Sequence, residues 1–292
     1  MSDVNPLRVY YGHHRCGSTW IKGIVEQVCA DLRLRHANVH RSENFNQVLG
    51  EFIAERQVDF LSYTNANYQY ALDLPDHRGF HVVRDPRDVV VSSYFSHRYS
   101  HPTNDWPELA AHRKQLERVS EADGLMLELE CRRTQFEEML EWDYEQANVL
   151  ELKMEDLMRS PAEFLTQAFI FLGLVEPSAD SLITLKYLAL KGLNKILAGL
   201  RPEARGAGGR TMPLHYFLNI VYNNRFSAWS GGRQAGQEDI YSHYRKGVHG
   251  DWATHFNAEH IAAFQQAYNP LLLKLGYETQ PDWAGTLERL QI

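Results

Sequence analysis

Leu7-Arg8-Val9-Tyr10-Tyr11-Gly12-His13-His14-Arg15-Cys16-Gly17-Ser18-Thr19-Trp20 is the stretch on which the fold turns. Five residues of strand-forming type run into a short turn bounded by glycines. Ile21, Ile24, Val25, Val28, Cys29 and Leu32 then recur at steps of three and four, which predicts a helix with one apolar face. A strand, a glycine turn and a helix make an anion site in outline. Free N–H groups converge at the helix start, where the helix dipole is positive. Alone, the pattern serves equally as a plain structural turn.

The same alternation continues outward. Short strands are expected near Asn38–His40, over Val58–Tyr63 and Gly79–Val83, and over Asn148–Leu152. Helical stretches are expected over Phe45–Arg56, from Asp85-Pro86 to Tyr99, and over Pro161–Leu172. Asp85 is placed to cap the second of these, with Pro86 in its first turn. Strands alternating with helices imply crossovers, so the expected class is α/β: a mostly parallel sheet flanked by helices on both faces. No internal repeat is visible. The 292 residues suit one domain spanning 1–292. From about 200 to 240 the chain is glycine-rich and without a clean period, which suggests a lid or flexible segment on the substrate side.

Composition removes several function classes. Thirty basic against thirty-seven acidic side chains give a net charge of −7, which argues against a general nucleic-acid or membrane-surface binder. Three cysteines, Cys16, Cys29 and Cys131, have no CxxC spacing, so neither a disulfide framework nor a zinc knuckle is expected. No apolar run reaches the ~18 residues of a membrane span, and MSDVNPLRVYY lacks a leader pattern. A soluble cytoplasmic protein is the expectation. The fourteen histidines include no HExxH pattern, and no metal is expected.

The loop has the glycine spacing of nucleotide-hydrolase phosphate loops, with one departure. Ser18 stands where a lysine should follow the second glycine, and the cation sits inside the loop at Arg15. Two further runs carry cations next to anion-binding backbone. Val83-Arg84-Asp85-Pro86-Arg87-Asp88-Val89-Val90-Val91-Ser92 places an arginine at a strand end and a serine on the following helix. Tyr244-Arg245-Lys246-Gly247-Val248-His249-Gly250-Asp251-Trp252 places two cations beside a glycine. With these in order, the chain resembles the sulfotransferases that use 3′-phosphoadenosine 5′-phosphosulfate (PAPS). Met154-Glu155-Asp156-Leu157, Pro161 and Phe171-Leu172-Gly173-Leu174 match the family's linking segment, so the resemblance spans roughly residues 7 to 268.

The resemblance implies roles residue by residue. Arg15, Cys16, Gly17, Ser18, Thr19 and Trp20 would form the 5′-phosphosulfate loop, with Arg15 where most members carry lysine and Trp20 stacking on adenine. Arg84, Ser92, Arg245, Lys246 and the Gly247 N–H would hold the 3′-phosphate. Arg15 would also stabilise the leaving oxygen as sulfonate moves in line to the acceptor hydroxyl. For the base, the family's usual Lys-Thr-His run reads Tyr63-Thr64-Asn65 here, and asparagine cannot accept a proton. Arg41-Ser42-Glu43-Asn44-Phe45 resembles the glutamate segment of carbohydrate-modifying members, which makes Glu43 the first choice and His40 the second.

Each residue also has a plainer reading. Trp20 fits a core position, Arg84 and Arg87 fit a solvated ion-pair run, Cys16 fits a space-filler, and Glu43 fits a carboxylate favoured by a helix start. The expected function is sulfonate transfer from PAPS to a small-molecule or carbohydrate hydroxyl, releasing 3′-phosphoadenosine 5′-phosphate (PAP). Aromatics of the 200–240 segment, Tyr216, Phe217, Tyr222, Phe226 and Trp229, would line the acceptor side. The rivals are a non-catalytic 3′-phosphoadenosine binder and a nucleotide kinase. The family's dimer motif is missing from Ala253–Glu259, which leaves the oligomeric state open.

Overall fold

The computed structural model describes residues 6–104, 106–178, 185–189, 191–192 and 211–283. In chain order the elements begin β1 (Leu7–Tyr11), α1 (Ser18–Leu32), β2 (His36–Val39), α2 (Leu49–Arg56), β3 (Phe60–Tyr63), α3 (Tyr68–Ala71), β4 (His77–Val83) and α4 (Pro86–Phe95). They continue α5 (Pro107–Leu116), α6 (Glu121–Cys131), α7 (Arg133–Glu141), β5 (Val149–Lys153), α8 (Met154–Arg159) and α9 (Pro161–Phe171). The short strands β6 (Val175–Glu176) and β7 (Met212–Pro213) follow, then helices Leu214–Asn223, Phe226–Trp229 and Ala258–Lys274.

The chain divides into two compact units. The first holds Met1–His13, Gly17–Val83 and Tyr144–Arg225. Its centre is a five-stranded sheet in the order β2-β3-β1-β4-β5, every pair parallel. Val9 lies opposite Leu61 on one side and Gly79 on the other. This is a parallel sheet flanked by helices. Its core joins Tyr10, Phe60, Phe80 and Val82 of the strands to Ile21, Ile24, Val25 and Val28 of α1 and to Leu165, Ala168 and Phe169 of α9. Each fully buried aliphatic side chain of this kind contributes roughly 1.5–3 kcal/mol relative to exposure. Because the chain leaves β1 for one side of the sheet and returns through β4 on the other, the end of β1 is a switch point. In open α/β sheets that is where ligands bind.

The second unit holds His14–Cys16, Arg84–Asp143 and Phe226–Ile292. Asp85 caps α4 as expected, its carboxylate accepting from the Arg87 N–H at 2.9 Å. The helix does not run on to Tyr99 as expected. It ends at Phe95 and continues as a π-type turn over Ser96–Ser100. All ten residues of α4 are buried, so no polar face marks its end in the sequence. The expected helix Phe45–Arg56 likewise begins only at Leu49, because Ser42–Phe45 closes a separate 3₁₀ turn. Arg87 anchors this unit. Its guanidinium pairs with Asp85 at 2.7 Å and Glu278 at 2.6 Å and lies over the rings of Trp252 and Trp283.

Of the 200–240 segment, residues 200–210 lie outside the described residues. From 211 onward it is more regular than the sequence suggests. Phe217, Ile220 and Val221 of helix Leu214–Asn223 fall at steps of three and one and enter the first unit's core. Phe217, expected on the acceptor side, is therefore a core residue. Among the described residues, no helix is long and apolar enough to cross a membrane.

Candidate donor site

In the first unit, β1 delivers the chain to Gly12 and α1 begins at Ser18. Gly17 caps α1 at φ 77°, and no side chain occupies the cap. The N–H groups of the first turn therefore face outward for an anion, at the positive end of the helix dipole. A Cβ at Gly17 would come within 2.7 Å of the Met154 sulfur, and its backbone is left-handed in any case. Glycine is required there. The Ser18 hydroxyl donates to the His13 carbonyl at 2.9 Å. The Trp20 ring is half-buried against the core, with its Nε1 buried and unpartnered. Thr19 is exposed.

The loop also holds His13 and His14, for which no carboxylate partner was visible in the sequence. His13 is buried, its Nε2 2.8 Å from His81 Nε2, and His81 Nδ1 lies 2.7 Å from the Glu151 carboxylate. This chain fixes the loop's entry to the sheet. The Glu43 and His40 side chains are exposed, on and just before the Ser42–Phe45 turn. The Asn65 amide donates to the His40 carbonyl at 3.2 Å. Burial, then Arg41 and Lys22, hold the His40 imidazole below its ordinary value, and Glu43 opposes them.

In the second unit the loop residue Arg15 has a left-handed backbone (φ 64°), uncommon for a side-chain-bearing residue and a recurrent feature of functional sites. Its guanidinium donates to Ser92 Oγ and Ser96 Oγ, each at 3.0 Å. Among the described residues, no carboxylate pairs with it. Burial, then the neighbouring cations Arg84 and Arg245, push it down to about 10. Arg84 donates to the Arg15 carbonyl at 3.3 Å and the Val248 carbonyl at 3.4 Å, and lies 3.6 Å from Asp88. Arg245 pairs with Asp251 and Glu238, and Lys246 with Asp251 at 2.5 Å. Cys16 is fully buried, its thiol 3.7 Å from the His14 carbonyl.

Two organisers were missed in the sequence. Asp88 accepts from the Gly250 N–H at 2.8 Å and the Trp252 N–H at 3.0 Å, which ties the RDPRD run to the turn bearing Arg245 and Lys246. Arg233 donates to the carbonyls of Tyr244 and Arg245, both at 2.7 Å, and holds the other side of that turn. Gly247, at φ 66°, leaves the ring of Phe226 where a Cβ would lie 2.7 Å away. The structure thus brings Arg15, Arg84, Ser92, Arg245 and Lys246 into one unit, and Gly17, Ser18, Thr19 and Trp20 into the other.

A family model, the sulfotransferase domain, matches residues 10–193. The chain belongs to the sulfotransferase family. The run Arg245–Trp252 lies beyond that match, so its likeness to the family rests on the motif itself. Among solved structures, this sulfotransferase is similar to mouse sulfotransferase SULT7A1 complexed with PAP. The two are 16% identical with a TM-score of 0.53, over 92% of this chain and 84% of that one. Retinol dehydratase, solved with androsterone and inactive cofactor PAP, is 13% identical with a TM-score of 0.44, over 92% and 81%. No curated protein matches the chain by sequence.

Proposed function

We propose that this sulfotransferase moves the sulfonate group of PAPS to a hydroxyl of a small-molecule or carbohydrate acceptor, acting as one catalytic domain and without a metal. The observation that carries the reading is Arg15. A half-buried guanidinium that meets only hydroxyls, and that burial and then two neighbouring arginines depress, is an incomplete anion site. A dianionic phosphate or sulfonate supplies the missing charge, through charge-assisted hydrogen bonds stronger than neutral ones. PAP in the mouse sulfotransferase crystal supports an adenosine bisphosphate as the ligand. The first-turn N–H groups after Gly17 and the hydroxyls of Ser18 and Thr19 would hold the 5′ end, with Cys16 filling the loop and Trp20 against adenine. Arg84, Ser92, Arg245, Lys246 and the Gly247 N–H would hold the 3′-phosphate. Arg15 would steady the oxygen that leaves sulfur. Its planar fork stays charged and so contributes electrostatics rather than a proton. For the acceptor's proton, the family pattern offers Glu43 and then His40.

Calorimetry with PAP and AMP tests the donor assignment, and transfer of labelled sulfonate from PAPS to a panel of hydroxyl compounds tests the chemistry. PAP is expected to bind at least tenfold more tightly than AMP, since one charge-assisted hydrogen bond contributes about 1.5–3 kcal/mol. Equal affinity for the two sinks the 3′-phosphate assignment. Tight PAP binding with no transfer to any acceptor favours the non-catalytic binder instead.

A further inference from the structure

The second unit contains a histidine chain that the donor site does not use. His14, directly before Arg15 in the loop, meets His97 of the Ser96–Ser100 turn, Nε2 to Nε2 at 3.1 Å. The rings are 24° from coplanar with centroids 5.3 Å apart, so they meet end to end rather than face to face. His97 Nδ1 lies 2.8 Å from Glu128 Oε1 on α6, and His112 Nε2 on α5 reaches the same oxygen at 2.8 Å. His97 and Glu128 are completely buried. The backbone is pinned as well: Gln135 donates to the His14 carbonyl at 3.0 Å, and Arg113 to the His97 and His101 carbonyls.

The Glu128 carboxylate fixes every proton along this line. The hydrogen bonds from His112 and His97 outweigh its burial and hold it down at about 2, so it is ionised and only accepts. His97 must then carry its proton on Nδ1, which leaves Nε2 as an acceptor. His14 must donate from Nε2, and its Nδ1 is left with a lone pair. A carboxylate behind a histidine sets the tautomer and stabilises the imidazolium in the same way in hydrolase triads.

We propose that His14 Nδ1 takes the proton of the acceptor hydroxyl, with His97 and Glu128 as positioning residues. The inference rests on the donor reading above. In the step, the acceptor O–H proton passes to His14 Nδ1 and the oxygen's electron pair forms the new bond to sulfur. The bond from sulfur to the 5′-phosphate oxygen breaks, and its pair leaves with PAP. His14 becomes an imidazolium, its Nε2–H still directed at His97, and returns the proton to water after product release. Neither Glu43 nor His40 has such an orienting line: among the described residues, no hydrogen bond reaches the His40 ring.

Burial, then Arg132, His97, Arg15 and His101, hold His14 well below its ordinary value, so the base form dominates at neutral pH. Arg15 is also the cation that the anionic donor would neutralise. Donor binding therefore makes His14 a better base at the moment one is needed.

Histidine ¹⁵N spectra of the full chain, with His14 assigned by its loss in His14→Gln, test the tautomers directly. The expected result is a proton on Nε2 of His14 and on Nδ1 of His97, with His14 titrating at higher pH once PAP is bound. Kinetics with PAPS at pH 8 then compare phenol with 4-nitrophenol, which is already ionised there. His14→Gln should slow transfer to phenol by about 10²–10⁴-fold, slow transfer to 4-nitrophenol far less, and leave PAP affinity within about threefold. Added imidazole should restore part of the phenol rate. Glu128→Gln should lower kcat for phenol with little change in KM. If wild type transfers to neither phenol, water is the acceptor and the same variant is compared on PAPS hydrolysis. A proton on Nδ1 of His14, equal losses with both phenols, or hydrolysis that survives His14→Gln overturns the proposal. So does a phenol-selective loss in Glu43→Gln or His40→Ala with His14→Gln unaffected. Wild type that fails to bind PAP sinks the donor reading instead, a separate result.

Discussion

Arg84 carries the sharpest consequence of the donor assignment. It lies between the Arg15 carbonyl and Asp88, and it is proposed above to hold the 3′-phosphate. Arg84→Ala should weaken PAP binding by about ten- to a hundredfold, the loss of one charge-assisted hydrogen bond, while AMP affinity barely moves. Calorimetry with both ligands checks it, and a parallel loss for AMP would mean the loop itself had collapsed. Cysteine reactivity follows from burial. Cys131 is exposed, Cys16 and Cys29 are buried, and burial followed by Asp59 and Glu26 pushes the Cys29 thiol up to about 12. Brief iodoacetamide treatment of native protein should mark Cys131 alone, by mass mapping, because the thiolate is the reactive species. The cationic residues were legible in the sequence because they cluster within short motifs. Asp88, Arg233, His97 and Glu128 were not. Their partners lie 162, 12, 83 and 31 positions away, and no local pattern announces such a pairing.

Elements were legible where one face is apolar and the other wet. Helix α1 shows its period openly, and its buried residues are the six that the sequence marks. Helix α4 hides its end because every residue in it is buried, and α5 to α7 lie between 99 and 148, where no element was expected. The five strands of the parallel sheet were found within two residues at each end, whereas the two-residue strands β6 and β7 were not expected. The candidate donor residues cluster at turns, and Asp88 joins the RDPRD run to the turn bearing Arg245 and Lys246. Its two bonds to Gly250 and Trp252 N–H groups are buried, so Asp88→Asn puts an amide N–H where a carboxylate oxygen accepted. The cost should be about 1–3 kcal/mol of stability. PAP affinity should fall too, because the turn bearing Arg245 and Lys246 loses its anchor. Urea melts and calorimetry on the variant read both effects. Full PAP affinity would show that the turn is held by Arg233 without Asp88.

For the whole molecule, the alternation of strands and helices announced a parallel sheet, but not its order. Strand order depends on which crossover goes to which side of β1, and composition does not encode that. Charge placement has a further consequence at this scale, in acid. His97 is pushed down to about 4 by burial, against the pull of Glu128, and His13 is held well below its ordinary value by burial and His81. Both groups have folded values below the unfolded value of about 6.5. The unfolded chain therefore takes up protons first. Stability is full above pH 6.5 and falls as pH drops toward the folded values, with a slope of about 1.4 kcal/mol per pH unit for each proton. His255 works the other way. Its bonds to Asp251 and Glu121 outweigh burial and raise it, so its contribution is present in acid and lost as pH rises. Burial also lowers His14, His36, His40, His77, His101 and His243, so among the described residues the lowered histidines outweigh the raised His255 and leave a net loss in acid. The urea midpoint should be lower at pH 5.5 than at pH 7.5, and His97→Gln should shrink that difference by roughly one proton's share. Equal midpoints at the two pH values would mean that His13 and His97 are already protonated in the folded chain. The tautomer line from Glu128 to His14 would then fail with them.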